Sequence, residues 1–193
     1  RGKHRISLTE DGMLLRRRAE EIISLSEKTR EDLRHKREQL AGKITIGSGE
    51  LQSSQFLAEL ITSFQEKNPM VQFEFYSGNS DNIKERIERG LLDMGLLQEP
   101  VDITKYSFLR TPVKERWGVL VRTDRLGADM EQLHVVASGN LQYNMAILAR
   151  SQSSCVLTLD LDCSYEGLCF VPLSPRMETG TVLVWKKIQA FSP

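Results

Sequence analysis

Lys43-Ile44-Thr45-Ile46-Gly47-Ser48-Gly49-Glu50-Leu51-Gln52-Ser53-Ser54-Gln55-Phe56-Leu57-Ala58-Glu59-Leu60-Ile61-Thr62-Ser63-Phe64 is the stretch whose reading decides the fold. In its first seven residues the β-branched Ile44-Thr45-Ile46 lead into a glycine turn, which predicts a strand. Ser53-Ser54 then open a helix in which Phe56, Leu57, Leu60, Ile61 and Phe64 fall at the i, i+3, i+4 spacing of one buried stripe. In a parallel sheet the ligand crevice opens beyond the carboxyl ends of the strands. The turn therefore gathers backbone N–H groups and two hydroxyls where an anionic small molecule can sit. The competing reading is that Ser53 and Ser54 only cap the helix.

Working outward toward the C-terminus, Lys67-Asn68-Pro69 stops that helix and Val71-Gln72-Phe73-Glu74-Phe75-Tyr76 alternates as a second strand. Ser77-Gly78-Asn79-Ser80 is the next turn, expected at the same end of the sheet as the first. Ile83, Ile87 and Leu91 mark a second helix, and Asp93-Met94-Gly95-Leu96-Leu97 is a third strand, apolar on both faces as a doubly covered strand must be. Two successive strand-helix-strand units predict an α/β, parallel, doubly wound lobe with right-handed crossovers. Phe108-Leu109-Arg110-Thr111-Pro112 and Trp117-Gly118-Val119-Leu120-Val121 add two further strands, the second leading into another lobe.

That second lobe reads as short. Leu133-His134-Val135-Val136-Ala137 is predicted as a strand, Asn140 to Ala149 as a helix and Val156-Leu157-Thr158-Leu159 as a strand. Only Thr123 to Gln132 precede them, well under the about 30 residues of a full strand-helix-strand unit, so a segment is expected to be absent near 130–133. Leu168-Cys169-Phe170-Val171-Pro172-Leu173-Ser174 and Thr181-Val182-Leu183-Val184-Trp185 are read as strands returning to the first lobe, with a C-terminal piece also expected to be missing after Pro193.

Toward the N-terminus, residues 1–8 are basic and alternate like an exposed hairpin strand. Thr9-Glu10-Asp11 supplies a cap and first-turn acids for a long helix to about Leu40. Leu15, Ala19, Ile22, Ser26, Thr29, Leu33, Lys36 and Leu40 form a heptad seam, whose natural partner is another copy of the helix. The alternative is a solvated charged helix lying on its own domain. Lys+Arg and Asp+Glu number 26 each, so the formal net charge is zero and nucleic-acid contact must come from a local basic segment. Apolar runs fall far short of a bilayer span and no signal-peptide core opens the chain, so a cytoplasmic protein is expected. Cys155, Cys163 and Cys169 have neither the number nor the spacing of a disulfide framework or a zinc site.

Taken together, the basic strand followed by Leu8-Thr9-Glu10-Asp11-Gly12, the charged helix, "GKITIGSG", "FQEKNPMVQFEF" and "ERGLLDMGLL" resemble the LysR-type transcriptional regulators over most of residues 3–122. "VASGNLQYNMAILARSQSSCVLTLD" fits that family more loosely, with Asp160 close to where a proline is commoner. The resemblance implies a two-lobed, periplasmic-binding-protein-like (type 2) effector domain behind a long linker helix. It divides the chain into a remnant of the DNA-binding wing at 1–8, a linker and dimerisation helix at 9–42, regulatory lobe 1 at 43–122 and 168–193, and lobe 2 at 123–167. It further implies a small-molecule effector, promoter DNA bound through a helix-turn-helix head that is expected to be missing here, and a homodimer or homotetramer. Carried over residue by residue, the effector positions are Gly49, Glu50, Leu51, Ser53, Ser54, Leu97, Gln98, Thr111, Ser138, Gly139, Asn140 and Thr158, and Lys3 and Arg5 are the remaining wing contacts to DNA. Each has a local alternative: Thr158 as a β-branched packing residue, Gly139-Asn140 as a capping turn. Glu50, beside a helix N-terminus, is expected to repel carboxylates and favour an effector with an amine or hydroxyl.

No enzyme is expected. Gln52 stands where a dinucleotide-binding turn needs its third glycine, and the second strand ends in Tyr76-Ser77-Gly78 without an acid for a ribose. There is no G-x-S-x-G, and His4, His35 and His134 suggest no triad or metal set. Neither cofactor nor metal is expected. A solute-binding protein of a transport system shares the architecture and is the alternative, although it calls for a signal peptide or lipid-anchoring cysteine.

Overall fold

In the computed structural model the described residues are 8–34, 40–125, 134–151 and 154–187. A long helix α1 (Glu10–Arg34) is followed by β1 (Ala41–Ser48), α2 (Ser54–Lys67), β2 (Met70–Ser77), α3 (Ser80–Glu88) and β3 (Met94–Gln98). Then come β4 (Tyr106–Arg122), α4 (Gln142–Ser151), β5 (Val156–Leu159), β6 (Leu168–Pro172) and β7 (Glu178–Lys186). The strands make one seven-stranded sheet in the order β2-β1-β3-β7-β4-β5, with β6 on the other side of β4 from β5.

β2, β1 and β3 run parallel, as the two strand-helix-strand units predict. Their carboxyl ends share one row, Ser48 opposite both Ser77 and Leu96, so the turns after β1 and β2 sit side by side. α3 lies close on this face because Gly47 and Gly95 carry no side chain. A Cβ on Gly95 would come within 2.5 Å of Ile83 Cγ2, and one on Gly47 within 2.7 Å of Leu92 Cδ1. Ile83, Ile87, Leu92, Leu97, Tyr106, Val182 and Val184 form the core beneath α3, while Ile46, Leu57 and Leu96 form a second cluster with Leu51, Ile61 and Phe73 against it. Each fully buried Ile or Leu contributes about 1.5–3 kcal/mol by leaving water. Of the predicted α3 stripe, Ile83 and Ile87 are buried, but Leu92 rather than Leu91 completes it, since the helix has ended by then.

The two strands expected at 108–112 and 117–121 are one strand, β4, with a break in register between Arg110 and Lys114. Pro112 sits in that break, where it has no N–H to donate to the ladder. β4 pairs with β7 up to Arg116 and with β5 and β6 from Trp117 onward, so it carries the chain from one half of the sheet to the other. In this second half β5 and β6 both run antiparallel to β4, and β7 is antiparallel to β3, so parallel pairing is confined to β2-β1-β3. β6 joins β5 on β4, and the chain comes back beside β3 with β7.

The expected strand at Leu133–Ala137 is not formed over its described part. His134–Ala137 is irregular and Val135 is 91% exposed. A strand persists only by pairing with a neighbour, and none among the described residues is in register with this run. The linker helix is described to Arg34. The 130–133 gap expectation, His35, Lys36 and the basic residues Lys3 and Arg5 lie outside the described residues.

Candidate ligand cleft

The turn after β1 is built as a cradle of amides. Gly78 N–H donates to Ser48 C=O at 3.1 Å, which ties the β2 turn to the β1 turn. The N–H groups of Gln52 and Ser53 then point at one acceptor, the carboxylate of Glu115, at 2.8 and 2.9 Å. Glu115 comes from the stretch of β4 that crosses between the two halves and is 0% exposed. A buried carboxylate is tolerable only when its oxygens are hydrogen-bonded, and the positive end of α2 adds about 0.3–1 kcal/mol of favourable field, up to about 2 where partly buried. Ser53 stands at the N-cap of α2 yet makes no side-chain cap; its hydroxyl is buried without a partner. The capping alternative for Ser53 is thus not realised, because the Glu115 carboxylate takes up the turn's amides instead.

The α4 N-terminus mirrors this arrangement. The N–H of Gln142 donates to the carboxylate of Glu50, which reaches over from the β1–α2 turn. Gln142 Oε1 in turn accepts the Thr158 hydroxyl at 2.7 Å, which fixes the amide between β5 and the Glu50 turn. Glu50 therefore bridges the two halves of the sheet. Opposite Glu115 on β7, Thr179 Oγ1 accepts from Gln98 Nε2 at 2.7 Å and from the Trp117 indole N–H at 3.3 Å. Arg116 pairs with Asp160, whose hydrogen bond holds the guanidinium pKa above its ordinary value.

Of the positions taken from the sequence, Glu50 and Thr158 are joined through Gln142, Ser53 is bonded to Glu115 and Gln98 to Thr179. Gly49 lies over the Gly78 carbonyl, and Ser54 N–H bonds Leu51 C=O at 3.1 Å. Leu97 is packed in the core and Leu51 against Ile46 and Leu57, so neither side chain is a polar contact. Thr111 hydrogen-bonds the Thr181 hydroxyl at the β4 irregularity, and Ser138, Gly139 and Asn140 are exposed ahead of α4. Glu115, Gln142, Trp117 and Thr179 escaped the sequence reading. Glu115 sits in Val113-Lys114-Glu115-Arg116-Trp117, where an acid among charged residues reads as a solvated face; only the tertiary pairing reveals it as buried.

A separate cavity of about 450 Å³ opens between α1 and the first half of the sheet, lined by Arg17, Lys28, Lys43, Glu74, Arg86 and Arg89 among others, and by none of the expected effector positions. Ion pairs Glu21–Arg89 at 2.9 Å and Lys28–Asp93 at 2.5 Å dock the helix there. Cys155, Cys163 and Cys169 are free thiols. Among the described residues no group of His, Cys, Asp or Glu is arranged to hold a metal ion, and no helix is long and apolar enough to cross a membrane.

Comparison with known proteins bears on this geometry. The chain is similar to the uncharacterized HTH-type transcriptional regulator YvbU of Bacillus subtilis, 25% identical over 119 residues, covering 62% of this chain and 40% of that protein. It is likewise similar to a probable RuBisCO transcriptional regulator of Chlorokybus atmophyticus, 24% identical over 147 residues, covering 71% of this chain and 47% of that protein. The chain spans about half the length of the curated relatives it matches. Among solved structures, full-length CbnR in complex with its target DNA aligns with a TM-score of 0.70 at 12% identity, covering 95% of this chain and 79% of that one. The reduced regulatory domain of OxyR2 from Vibrio vulnificus aligns at 0.63 and 11% identity, covering 80% and 91%. At such identities these two likenesses establish the fold alone. The model of the LysR substrate binding domain matches residues 37–135, more than half of the sequence, and the chain therefore belongs to the LysR substrate-binding domain family.

Proposed function

We propose that this chain is the effector-sensing and oligomerisation portion of a cytoplasmic LysR-type transcriptional regulator, binding a small molecule between the two halves of its sheet. The observation that carries the reading is the Glu50–Gln142–Thr158 chain of hydrogen bonds, which joins the β1–α2 turn to α4 and β5 across the crossing of β4. A ligand seated beside those groups bears on the relative placement of both halves at once. Relatives named as HTH-type regulators support a DNA-binding output, with Lys3 and Arg5 proposed as wing contacts to phosphate or minor groove. No catalytic step is assigned, and the transport reading has no matching feature beyond the architecture.

Oligomerisation is assigned to α1. Leu15 and Ile22 on its seam are 71% and 68% exposed, and Met13, Leu14 and Ile23 beside them are exposed as well. Water-exposed apolar side chains at heptad spacing are what a second copy of the helix covers. A ligand that prefers one placement of the two halves then biases the geometry of the oligomer, and a coupling of roughly 1–3 kcal/mol gives a several-fold response. The test is thermal stabilisation against a metabolite panel. A hit whose stabilisation disappears in Ser53→Ala with Asn140→Ala places the effector in the cleft; a hit that survives both changes places it elsewhere.

A further inference from the structure

The seat that the β1–α2 turn offers to an anion already has an occupant. Two successive amides, Gln52 and Ser53, at the positive end of the 14-residue helix α2, form the concavity in which carboxylates and phosphates are commonly held. Both are spent on Glu115, which reaches them from β4, more than sixty residues along the chain, and which no solvent touches. At the second N-terminus facing the cleft, the Gln142 amide of α4 is spent on Glu50. The hydroxyl of Ser53 remains buried at the same turn with nothing bonded to it.

We propose that Glu115 is an internal ligand of the α2 turn, filling the place of an anionic effector and thereby making the cleft selective for neutral or cationic small molecules. This rests on the cleft being the effector site. The physical reason is twofold. An incoming carboxylate finds the Gln52, Ser53 and Gln142 amides already bonded, and it approaches the carboxylates of Glu50 and of the fully buried Glu115. An ammonium group meets the opposite field, and a neutral hydroxyl is not repelled by it. Glu115 is then a specificity-determining residue. Removing its carboxylate turns an occupied anion seat into an empty one.

The test uses the 193-residue chain with propionate as probe against potassium chloride at equal ionic strength. Glu115→Ala is expected to bind propionate about tenfold or more tighter than the unaltered chain, since two amides bonding a charged acceptor are worth at least that factor, and its melting temperature is expected to rise with propionate dose. Absence of that rise overturns the proposal. A second measurement needs no variant: in the unaltered chain, backbone ¹⁵N shifts of Gln52 and Ser53 are expected to stay put under propionate and inorganic phosphate, and a saturable shift of both sinks the idea. Glu115→Asp, which keeps the charge but withdraws it by one methylene, is expected to speed hydrogen exchange at the two amides; unchanged exchange counts against their bond to Glu115. The outcomes separate the two readings. If every metabolite hit binds outside the cleft while propionate rescue holds, the cleft reading falls and the internal ligand stands. If an anionic metabolite binds in the cleft and moves both amides, the reverse is true.

Discussion

Replacing Asp93 by Ala should undo the joint between α1 and the sheet. Asp93 is almost fully buried and its carboxylate serves three donors at once: Thr45 N–H at 2.8 Å, Thr45 O–H at 2.8 Å and the Lys28 ammonium at 2.5 Å. Truncation leaves the buried Thr45 N–H without its acceptor, a cost of about 1–3 kcal/mol. It also strands a lysine whose side chain is only 19% exposed. Breaking a buried charged pair from one side costs about 3–5 kcal/mol in all, so a loss of roughly 3 kcal/mol is expected for Asp93→Ala. Lys28→Ala leaves the Asp93 carboxylate its two Thr45 donors and should cost less, about 1–3 kcal/mol, with release of α1. Urea unfolding followed by the fluorescence of Trp117 and Trp185 reads the sheet, and hydrogen exchange over residues 20–34 reads helix docking. Lys28→Ala should raise exchange in α1 while leaving the β1 and β3 amides protected. A double-mutant cycle should return a coupling of about 1 kcal/mol or more. A stability within about 0.5 kcal/mol of the unaltered chain for Asp93→Ala, or strict additivity in the cycle, refutes this account.

Three other predictions use different terms. Tyr106 is buried, and burial first, with the Glu88 hydrogen bond second, pushes its pKa from 10.0 up to about 12. The fold favours the protonated phenol, so this stabilisation is intact below pH 10 and is lost as pH rises through about 12, a fall on the order of 2 kcal/mol. A urea series over that range should show the fall, and Tyr106→Phe should flatten it. Gly95→Val places side-chain atoms where Ile83 and Ile87 already sit and should cost about 1–3 kcal/mol or more by overpacking, measured as a drop in melting temperature without loss of helix content in the survivors. Gln142→Leu keeps the volume but removes the acceptor for the Thr158 hydroxyl, so a loss of about 1–2 kcal/mol is expected; the same loss in a Thr158→Val background would show that the two do not act together.

What could be read from residues alone was whatever is local. The alternation of Val71 to Tyr76, the stripe of Ile83 and Ile87, and the glycine turn after Ile46 placed β1, α2, β2, α3 and β3, because strand and helix periodicities are written within a few residues of themselves. The run at Val135-Val136 carried the same composition and failed, since a strand also needs a partner that composition does not specify. Phe108–Pro112 and Trp117–Val121 looked like two strands because Pro112 interrupts the local pattern, yet β7 pairs across the break and makes them one.

The linear chain by itself determined the parallel β2-β1-β3 start, the family, and the location of the amide-rich turn. Tertiary structure alone decided what that turn holds: Glu115 lies 62 residues beyond Ser53, and its neighbours Lys114 and Arg116 make it read as part of a solvated charged face. The physical reason is that burial of a charge depends on which distant donors come to meet it, and that meeting is set by how β4 crosses the sheet, not by any pattern inside β4.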